Sequence, residues 1–171
     1  MRPSAFSNPG KFFRGNIHTH SNLSDGALSA AEVCRRYQNE GYDFLSLTEH
    51  FLGQYDYPIA DTTPFQTENF MTILGAELHS GAMENGELWH ILAVGLPKDF
   101  KPSNSPEFYP IIDQETGPQI AQRAVEAGAF VTIAHPEWSV MSEADAASIT
   151  SAHAVEVYNH GSEVECDRGR G

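Results

Sequence analysis

The chain has 171 residues, a length that suits one domain with a substantial hydrophobic core. With 40% hydrophobic and 19% charged residues, the composition is that of a globular protein and excludes a largely disordered chain. The net charge of −13 and the lack of any basic run argue against an extended surface for nucleic-acid phosphates. An acidic protein can still bind a phosphate where metal ions supply the positive charge.

The sequence also bears on cellular location. The N-terminal stretch MRPSAFSNPGKFF lacks the apolar region of a signal peptide, and no stretch is long and apolar enough to span a membrane. Cys34 lies on the apolar side of a predicted helix and Cys166 in a polar tail, so both are interpreted as free thiols in a reducing compartment. We therefore expect a cytoplasmic protein without membrane partners.

Short apolar runs alternate with helical patterns along the chain. GNIH is a candidate first strand. SAAEVCRRYQNEG then predicts a helix, with capping-box spacing between Ser29 and Glu32 and with Gly41 beyond its C-terminal end. The next three predicted strands are YDFLSLTEH, FMTILGAELH and ELWHILAVG.

The second half of the chain continues this alternation. Residues 97–118 hold five of the ten prolines and show no periodicity, which predicts a long surface loop. A helix is expected from about Pro118 to Ala127, followed by a strand at AFVTIAH, a short helix from Ser142 and a sixth strand at AVEVYN. Short apolar strands separated by helices indicate an α/β protein with a parallel sheet or barrel buried on both faces.

Polar side chains recur where the predicted strands end. In parallel α/β folds these ends form one rim, where ligands bind, so residues distant in sequence are expected to meet there. His90 is the exception, because it lies inside its predicted strand. The strand-end residues are His18, His20, His50, Glu77, His79, His135, Asn159 and His160.

Several of these residues have a geometric or energetic reason to bind metal. His18 and His20 lie on one face of a strand, because side chains alternate, and both can reach one ion as neutral imidazoles. Asp25, which precedes a glycine, is equally well explained as a turn residue. Glu77 ends a buried strand, where a carboxylate is costly unless it is paired or metal-bound. The full candidate metal set is His18, His20, Asp25, His50, Glu77, His90 and His135.

Other residues have ordinary structural explanations. His90 within ELWHILAV is also explained as a hydrogen-bonded core histidine. Trp89, with apolar neighbours, is predicted to be buried, whereas Trp138 is a candidate pocket residue. His153 and His160 are assigned to no site.

The ordered motifs HTHSNLSDG, LTEH, GAELH, WHILAVG and AHPE, followed by VEVYN, resemble those of the PHP (polymerase and histidinol phosphatase) family of metal-dependent phosphoesterases. The resemblance covers about residues 14–160, and a single domain is expected over residues 1–171. It implies a distorted β/α barrel with seven strands. It also implies up to three divalent metal ions, zinc, manganese or iron, at the C-terminal rim.

The resemblance also implies a distribution of ligands. His18 and His20 would bind a first metal, with Glu77 bridging it to another, while Asp25 and His50 would serve the second.

The third metal would be held by His90 and His135 together with Glu77. His79 lies outside the usual pattern and is interpreted only as a candidate substrate contact that could protonate a leaving group.

One departure from the family pattern concerns the last strand. The family ends its site with an Asp-x-His motif, but no such motif follows VEVYNHG, and Asp167 is followed by Arg168. One strand–helix unit and the final ligands are therefore expected to be missing from this chain. The first two metal sites would then each lack a ligand, while the third would keep its full set.

The expected activity is hydrolysis of a small phosphomonoester or short phosphodiester by metal-activated water. His18, His20 and Glu77 would be catalytic through the bound metals. The expected partner is a small phosphorylated substrate rather than long nucleic acid, and the oligomeric state is left open.

Two alternatives remain at this point. One is a truncated or degenerate domain that binds metal or a partner without turnover. The other is an amidohydrolase-like hydrolase, which would need a carboxylated lysine or a further histidine pair at the rim. No lysine lies near a predicted strand end, which argues against the second alternative.

Overall fold

A computed structural model of the chain describes residues 9–112 and 114–170, so most of the N-terminal stretch considered for a signal peptide, residues 1–8, lies outside the described residues. The described residues form one six-stranded sheet whose strands follow chain order. The strands are β1 (Gly15–Asn16), β2 (Phe44–Phe51), β3 (Met71–Leu78), β4 (Ile91–Val94), β5 (Phe130–Ile133) and β6 (Ala154–Val155). The α-helices are α1 (Ala30–Asn39), α2 (Gly117–Glu126), α3 (Glu143–Ser148) and α4 (His160–Cys166).

The sheet is mixed rather than fully parallel. β1, β2 and β3 run parallel, and so do β5 and β6. β4 runs antiparallel to both β3 and β5, so the expectation of a parallel sheet is wrong at this strand. The reason is the connection: residues 79–90 join β3 to β4 without the helical crossover that a parallel pair needs.

Helix termini follow the capping residues that the sequence offers. Ser29 accepts a hydrogen bond from the Glu32 amide at the start of α1, and Gly41, with a φ of 74°, follows its end. Thr116 and Gln119 form a complete capping box at the start of α2. These caps place both helices within one or two residues of their predicted positions.

The core packs these helices against the sheet. Ile120 of α2 is fully buried, and Cys34 of α1 is a free buried thiol, as predicted. Trp89 is buried, also as predicted, and it packs so closely on Gly117 that any larger side chain there would collide with the indole ring. Among the described parts of the chain, no helix is both long and apolar enough to cross a bilayer.

The proline-rich segment is an irregular loop, as predicted, and it is anchored to the sheet. The backbone amides of Gly53 and Gln54 donate to the carbonyls of Ser105 (3.0 Å) and Pro106 (2.7 Å). The Ser103 hydroxyl donates to the carbonyl of residue 51 (3.4 Å). These bonds hold the middle of the loop over the C-terminal end of β2.

The packing of α2 generates a stability prediction. Ile120→Ala is expected to lower the free energy of unfolding by about 2–5 kcal/mol, because it leaves a cavity between α2 and the sheet. The exposed neighbour Gln122→Ala should change it by no more than about 0.5 kcal/mol. Urea unfolding of both variants measures the difference, and equal stabilities would contradict the described packing.

Candidate metal centre

The candidate ligands meet at one rim of the sheet. His50 in β2 and Glu77 in β3 are register partners near the ends of adjacent strands. His18 follows β1 and His135 follows β5 by two residues, at the same rim. His90 was expected inside its strand, but β4 begins at the next residue, and because β4 is antiparallel its N-terminal end reaches this rim. Strand direction therefore brings His90 to the other ligands.

Glu77 is the common partner of five histidines. Its carboxylate is 0% exposed. The nitrogens nearest its Oε2 belong to His18 (Nε2, 3.4 Å), His20 (Nε2, 3.2 Å) and His50 (Nδ1, 3.1 Å). Those nearest its Oε1 belong to His90 (Nδ1, 2.7 Å) and His135 (Nε2, 3.1 Å). One buried carboxylate thus organises ligands from distant parts of the chain.

Asp25 lies at the more open side of this cluster. Its Oδ2 is 3.3 Å from His50 Nε2, and its Oδ1 is 3.8 Å from His20 Nδ1. The hydrogen bond from His50 lowers the pKa of Asp25, and the charges of both histidines act in the same direction. Asp25 is therefore placed as a ligand candidate as well as a loop residue.

Ligand atoms within 4.8 Å of one another form three groups among the described residues. Each of the seven expected ligands belongs to at least one group, but His18 and His20 fall in different groups and His79 joins one. The groups are His20, Asp25 and His50; His18, Glu77 and His135; and His50, Glu77, His79 and His90. The seven residues do come together, while their division among individual ions stays a prediction.

The electrostatics of the cluster are those of a buried anion flanked by two protonated histidines. Burial acts to raise the pKa of Glu77, but charged His50 and His18 outweigh it and hold the pKa well below its usual range. Burial acts to lower the pKa of His18, but Glu77 and Glu156 raise it to about 10. For His50, Glu77 and Asp25 likewise overcome burial and raise the pKa to about 9.

The deepest two histidines behave in the opposite way. Burial lowers the pKa of His79 well below its usual range, and the neighbouring His90 adds to this effect. Burial also lowers the pKa of His90 despite its hydrogen bond with Glu77. Both rings are therefore neutral at pH 7, which is the form that binds metal.

Glu156 is a site residue that the sequence reasoning missed. It leaves the sheet directly after β6, which is shorter than predicted, and its Oε1 lies 3.0 Å from His18 Nδ1. Its other oxygen accepts the backbone N–H of His135 (2.8 Å), a residue whose φ of 22° lies outside the usual regions. Asn159 donates to the same carboxylate (3.3 Å). Glu156 therefore orients two candidate ligands at once.

Glu49 was also missed, although its position beside His50 was a usable signal. Alternation along β2 turns its side chain away from His50, and it is fully buried. There it accepts hydrogen bonds from the Ser21 amide (3.0 Å), the Ser21 hydroxyl and the Ser24 hydroxyl (2.5 Å). These bonds hold the loop that carries Asp25.

His79 does not lie where a substrate contact was expected. It is 0% exposed beneath His50 and does not line the cavity above the cluster. Its Nδ1 is 3.0 Å from the Trp89 carbonyl, which can only accept, so Nδ1 carries the proton and Nε2 is an acceptor. His50 Nδ1, 2.9 Å away, must then donate to it. This leaves His50 Nε2 as the atom that faces Asp25 and can bind a metal.

A cavity of about 400 Å³ opens above the cluster. Its lining includes all seven expected metal ligands, together with Phe108, Trp138 and Asn159. His153 packs instead on Phe130, and His160 contacts Tyr158 at the surface, so neither reaches the cavity.

The shifted histidines predict how the metal-free protein responds to alkaline pH. Folding raises the pKa of His18 to about 10 and that of His50 to about 9, so protonation of both residues stabilises the folded state. This stabilisation is complete below about pH 6.5 and is lost as the pH rises through about 9 and about 10. Urea unfolding in chelator should show this loss. His18→Gln should reduce it, whereas His160→Gln, at an exposed position, should leave it unchanged.

The loss of folding stability at acidic pH is caused by groups whose pKa values are lowered in the folded state. His79 and His90 have lowered pKa values, so the fold loses stability as pH falls below about 6.5, and Glu77 adds to the loss below about 4.5. The free energy of unfolding should therefore be greatest near pH 6.5. A stability that kept rising from neutral pH to about pH 10 would contradict these ionisation states.

His79 generates a prediction about metal affinity. His79→Leu removes the hydrogen-bond partner of His50 Nδ1 at His79 Nε2 and leaves only the 3.1 Å contact with Glu77, so zinc affinity is expected to fall about 10–100-fold. His79→Gln, which keeps an acceptor of similar reach, should retain most of the affinity. Titration against a zinc-binding dye measures both variants, and wild-type affinity in His79→Leu would show that the contact does not position His50.

Neither a family model nor a curated protein matches this chain. A Bifidobacterium adolescentis protein described as a candidate metal-dependent phosphoesterase superimposes with a TM-score of 0.63 and 14% identity, over 85% of this chain and 77% of that one. A two-domain Bacteroides vulgatus protein is described as containing a PHP-like metal-dependent phosphoesterase assigned by prediction. It superimposes with a TM-score of 0.60 and 23% identity, over 86% of this chain and 44% of that one. An amidohydrolase of Chromobacterium violaceum, with bound sulfate and no metal, superimposes with a TM-score of 0.61 and 15% identity, over 84% of this chain and 76% of that one.

At these identities the similarity is one of fold. The described residues form six strands, the number that the sequence predicted for this chain and one fewer than in the family's seven-stranded barrel, with β1 and β6 at the edges of the sheet. The neighbours are named as metal-dependent phosphoesterases, one of them PHP-like, and as an amidohydrolase. The chain has the PHP-type α/β fold that its ordered motifs predicted.

Proposed function

We propose that this chain is a metal-dependent phosphoesterase that hydrolyses a small phosphomonoester or a short phosphodiester. The observation that carries the proposal is the convergence of seven ligand side chains on the floor of one open cavity, around the fully buried Glu77. The names of two structural neighbours agree with this activity.

The donor set fits divalent metal ions. Five imidazoles and two carboxylates form the mixed nitrogen and oxygen set that binds zinc, manganese or iron. A carboxylate as deeply buried as Glu77 needs compensating positive charge, which protonated histidines supply without metal and which ions would supply when bound. Bound ions would polarise the phosphoryl oxygens and lower the pKa of a bound water.

The charges around the cavity support a metal-dependent mode of phosphate binding. Among the described residues, no lysine or arginine lines this cavity, and Asp25, Glu77 and Glu165 contribute negative charge. Because imidazoles are neutral when they bind metal, the positive charge that attracts a phosphate would come from the bound cations. The chain's own residues would hold the metals and orient their ligands. Glu156 sets the tautomer of His18, and Asn159 adds an N–H donor near the cavity.

A second candidate is an amidohydrolase-like hydrolase, because one neighbour carries that name. This alternative requires a carboxylated lysine or a further histidine pair at the rim, and the histidines that line the cavity are the five already assigned as candidate metal ligands. The chain has three lysines, and among the residues that the structure describes none lines the cavity. Lys98 pairs with Asp61 and Lys11 lies over Phe13, both away from the site. The phosphoesterase is therefore the better-supported proposal.

The remaining expectations are retained as part of this proposal. The partner is a small phosphorylated molecule, because the net charge of −13 disfavours long nucleic acid. The free thiols Cys34 and Cys166 support a reducing compartment, and we place the protein in the cytoplasm on that ground.

The proposal is tested by turnover of 4-nitrophenyl phosphate and bis(4-nitrophenyl) phosphate after loading with manganese or zinc. Glu77→Gln should reduce kcat/KM by more than about 100-fold, because it removes the charge that binds the metals. His160→Gln, outside the cavity, should retain wild-type turnover.

Metal content per chain, measured on the same samples, separates the alternatives. Stoichiometric metal without turnover of either ester would support a binding domain and overturn the proposal. Hydrolysis of 4-nitroacetanilide with no hydrolysis of either ester would favour the amidohydrolase.

A further inference from the structure

We propose that the organic part of the substrate is a flat aromatic ring, bound by Phe108 and Trp138 beside the metal centre. The inference rests on the proposed function, because the metal cavity must hold the ester group. It adds the substrate class, which the ligand cluster alone does not determine.

The two aromatic side chains contact different histidines of the ligand cluster. The Phe108 ring meets that of His50 edge to face, with centroids 4.7 Å apart and an interplanar angle of 85°. The Trp138 ring makes similar contacts with His135 (4.9 Å, 72°) and His90 (5.3 Å, 65°). Phe108 and Trp138 therefore flank any group that is bound to the metals.

Both aromatic rings expose apolar surface to water beside the ligand cluster, which is energetically unfavourable. Phe108 is 46% and Trp138 36% exposed, beside the most polar part of the molecule. A planar ligand would bury this surface and would stack on or meet the edges of both rings. The loop carrying Phe108 is held by backbone bonds at Ser105 and Pro106, so the ring is positioned before a ligand arrives.

A second cavity continues from the metal cavity past these rings. It measures about 350 Å³ and shares the walls formed by His90, Phe108 and Trp138. Its other walls include the apolar side chains of Met83, Leu88 and Val140. Glu87 and Arg168 also line it and have opposite charges. The compartment next to the metal site thus combines apolar and aromatic side chains with one pair of opposite charges.

This lining favours an aromatic group over a sugar or a glycerol unit. A polyhydroxyl group needs several hydrogen-bond partners, whereas Met83, Leu88 and Val140 offer none from their side chains and Glu87 and Arg168 are the charged partners in this lining. Ser139 also lines the cavity, but its hydroxyl lies 3.1 Å from His135 Nδ1. An aromatic ring matches the size, polarity and stacking partners of this compartment.

The test compares two phosphonates that carry the same metal-binding group. Calorimetric titration of the zinc-loaded protein should show phenylphosphonate binding at least about tenfold more tightly than methylphosphonate, because only the phenyl group buries apolar area. Trp138→Ala and Phe108→Ala should each reduce this ratio towards one. Tyr109→Ala, at an exposed residue that lines neither cavity, should leave the ratio unchanged.

The outcomes separate this inference from the proposed function. Equal affinities for the two phosphonates, or an unchanged ratio in both variants with intact circular dichroism, would overturn the aromatic site while ester hydrolysis stands. Failure of both phosphonates to bind the zinc-loaded protein would overturn the inference, whereas turnover of the two nitrophenyl esters decides the phosphoesterase separately. Trp138→Phe should keep most of the preference, because a ring remains in place.

Discussion

The arrangement of the molecule depends on one buried carboxylate. Glu77 has no exposure to solvent, and a charge in that position is stable only when opposite charges or metal ions surround it. Protonated His18 and His50 supply opposite charge, and five histidines from distant segments bring a ring nitrogen close to its two oxygens. The rim of the sheet is therefore constrained electrostatically as well as by packing, since each of these segments must end where its imidazole reaches one of the two oxygens.

A second set of contacts keeps the imidazoles oriented. Glu156 forms hydrogen bonds with the ring of His18 and the backbone N–H of His135. His79 is oriented by the Trp89 carbonyl and in turn orients the ring of His50. Histidines that bind metals depend on such partners, because the hydrogen bond at one nitrogen decides which nitrogen is free to bind. The contacts of His79 are buried and those of Glu156 are partly buried, so the candidate ligands are already oriented by contacts within the chain.

The cavity above the cluster combines two chemistries at short range. Its floor is a ligand set without lysine or arginine among the described residues, which would attract an anion only through bound cations. Its flank is aromatic and leads into a second compartment lined by both apolar and charged side chains. The two parts share His90, so a substrate bound to the metals would extend directly over Phe108 and Trp138.

The ordered motifs and the strand-end histidines determined the α/β class, the rim location and the seven residues that meet there, because strand periodicity and turn signals are local. The caps at Ser29 and Thr116 are local as well. Strand direction is not a local property, and only the antiparallel pairing of β4 shows why His90 lies at the rim. Glu156 and the burial of His79 depend on segments that are far apart in sequence, so only tertiary structure decided them.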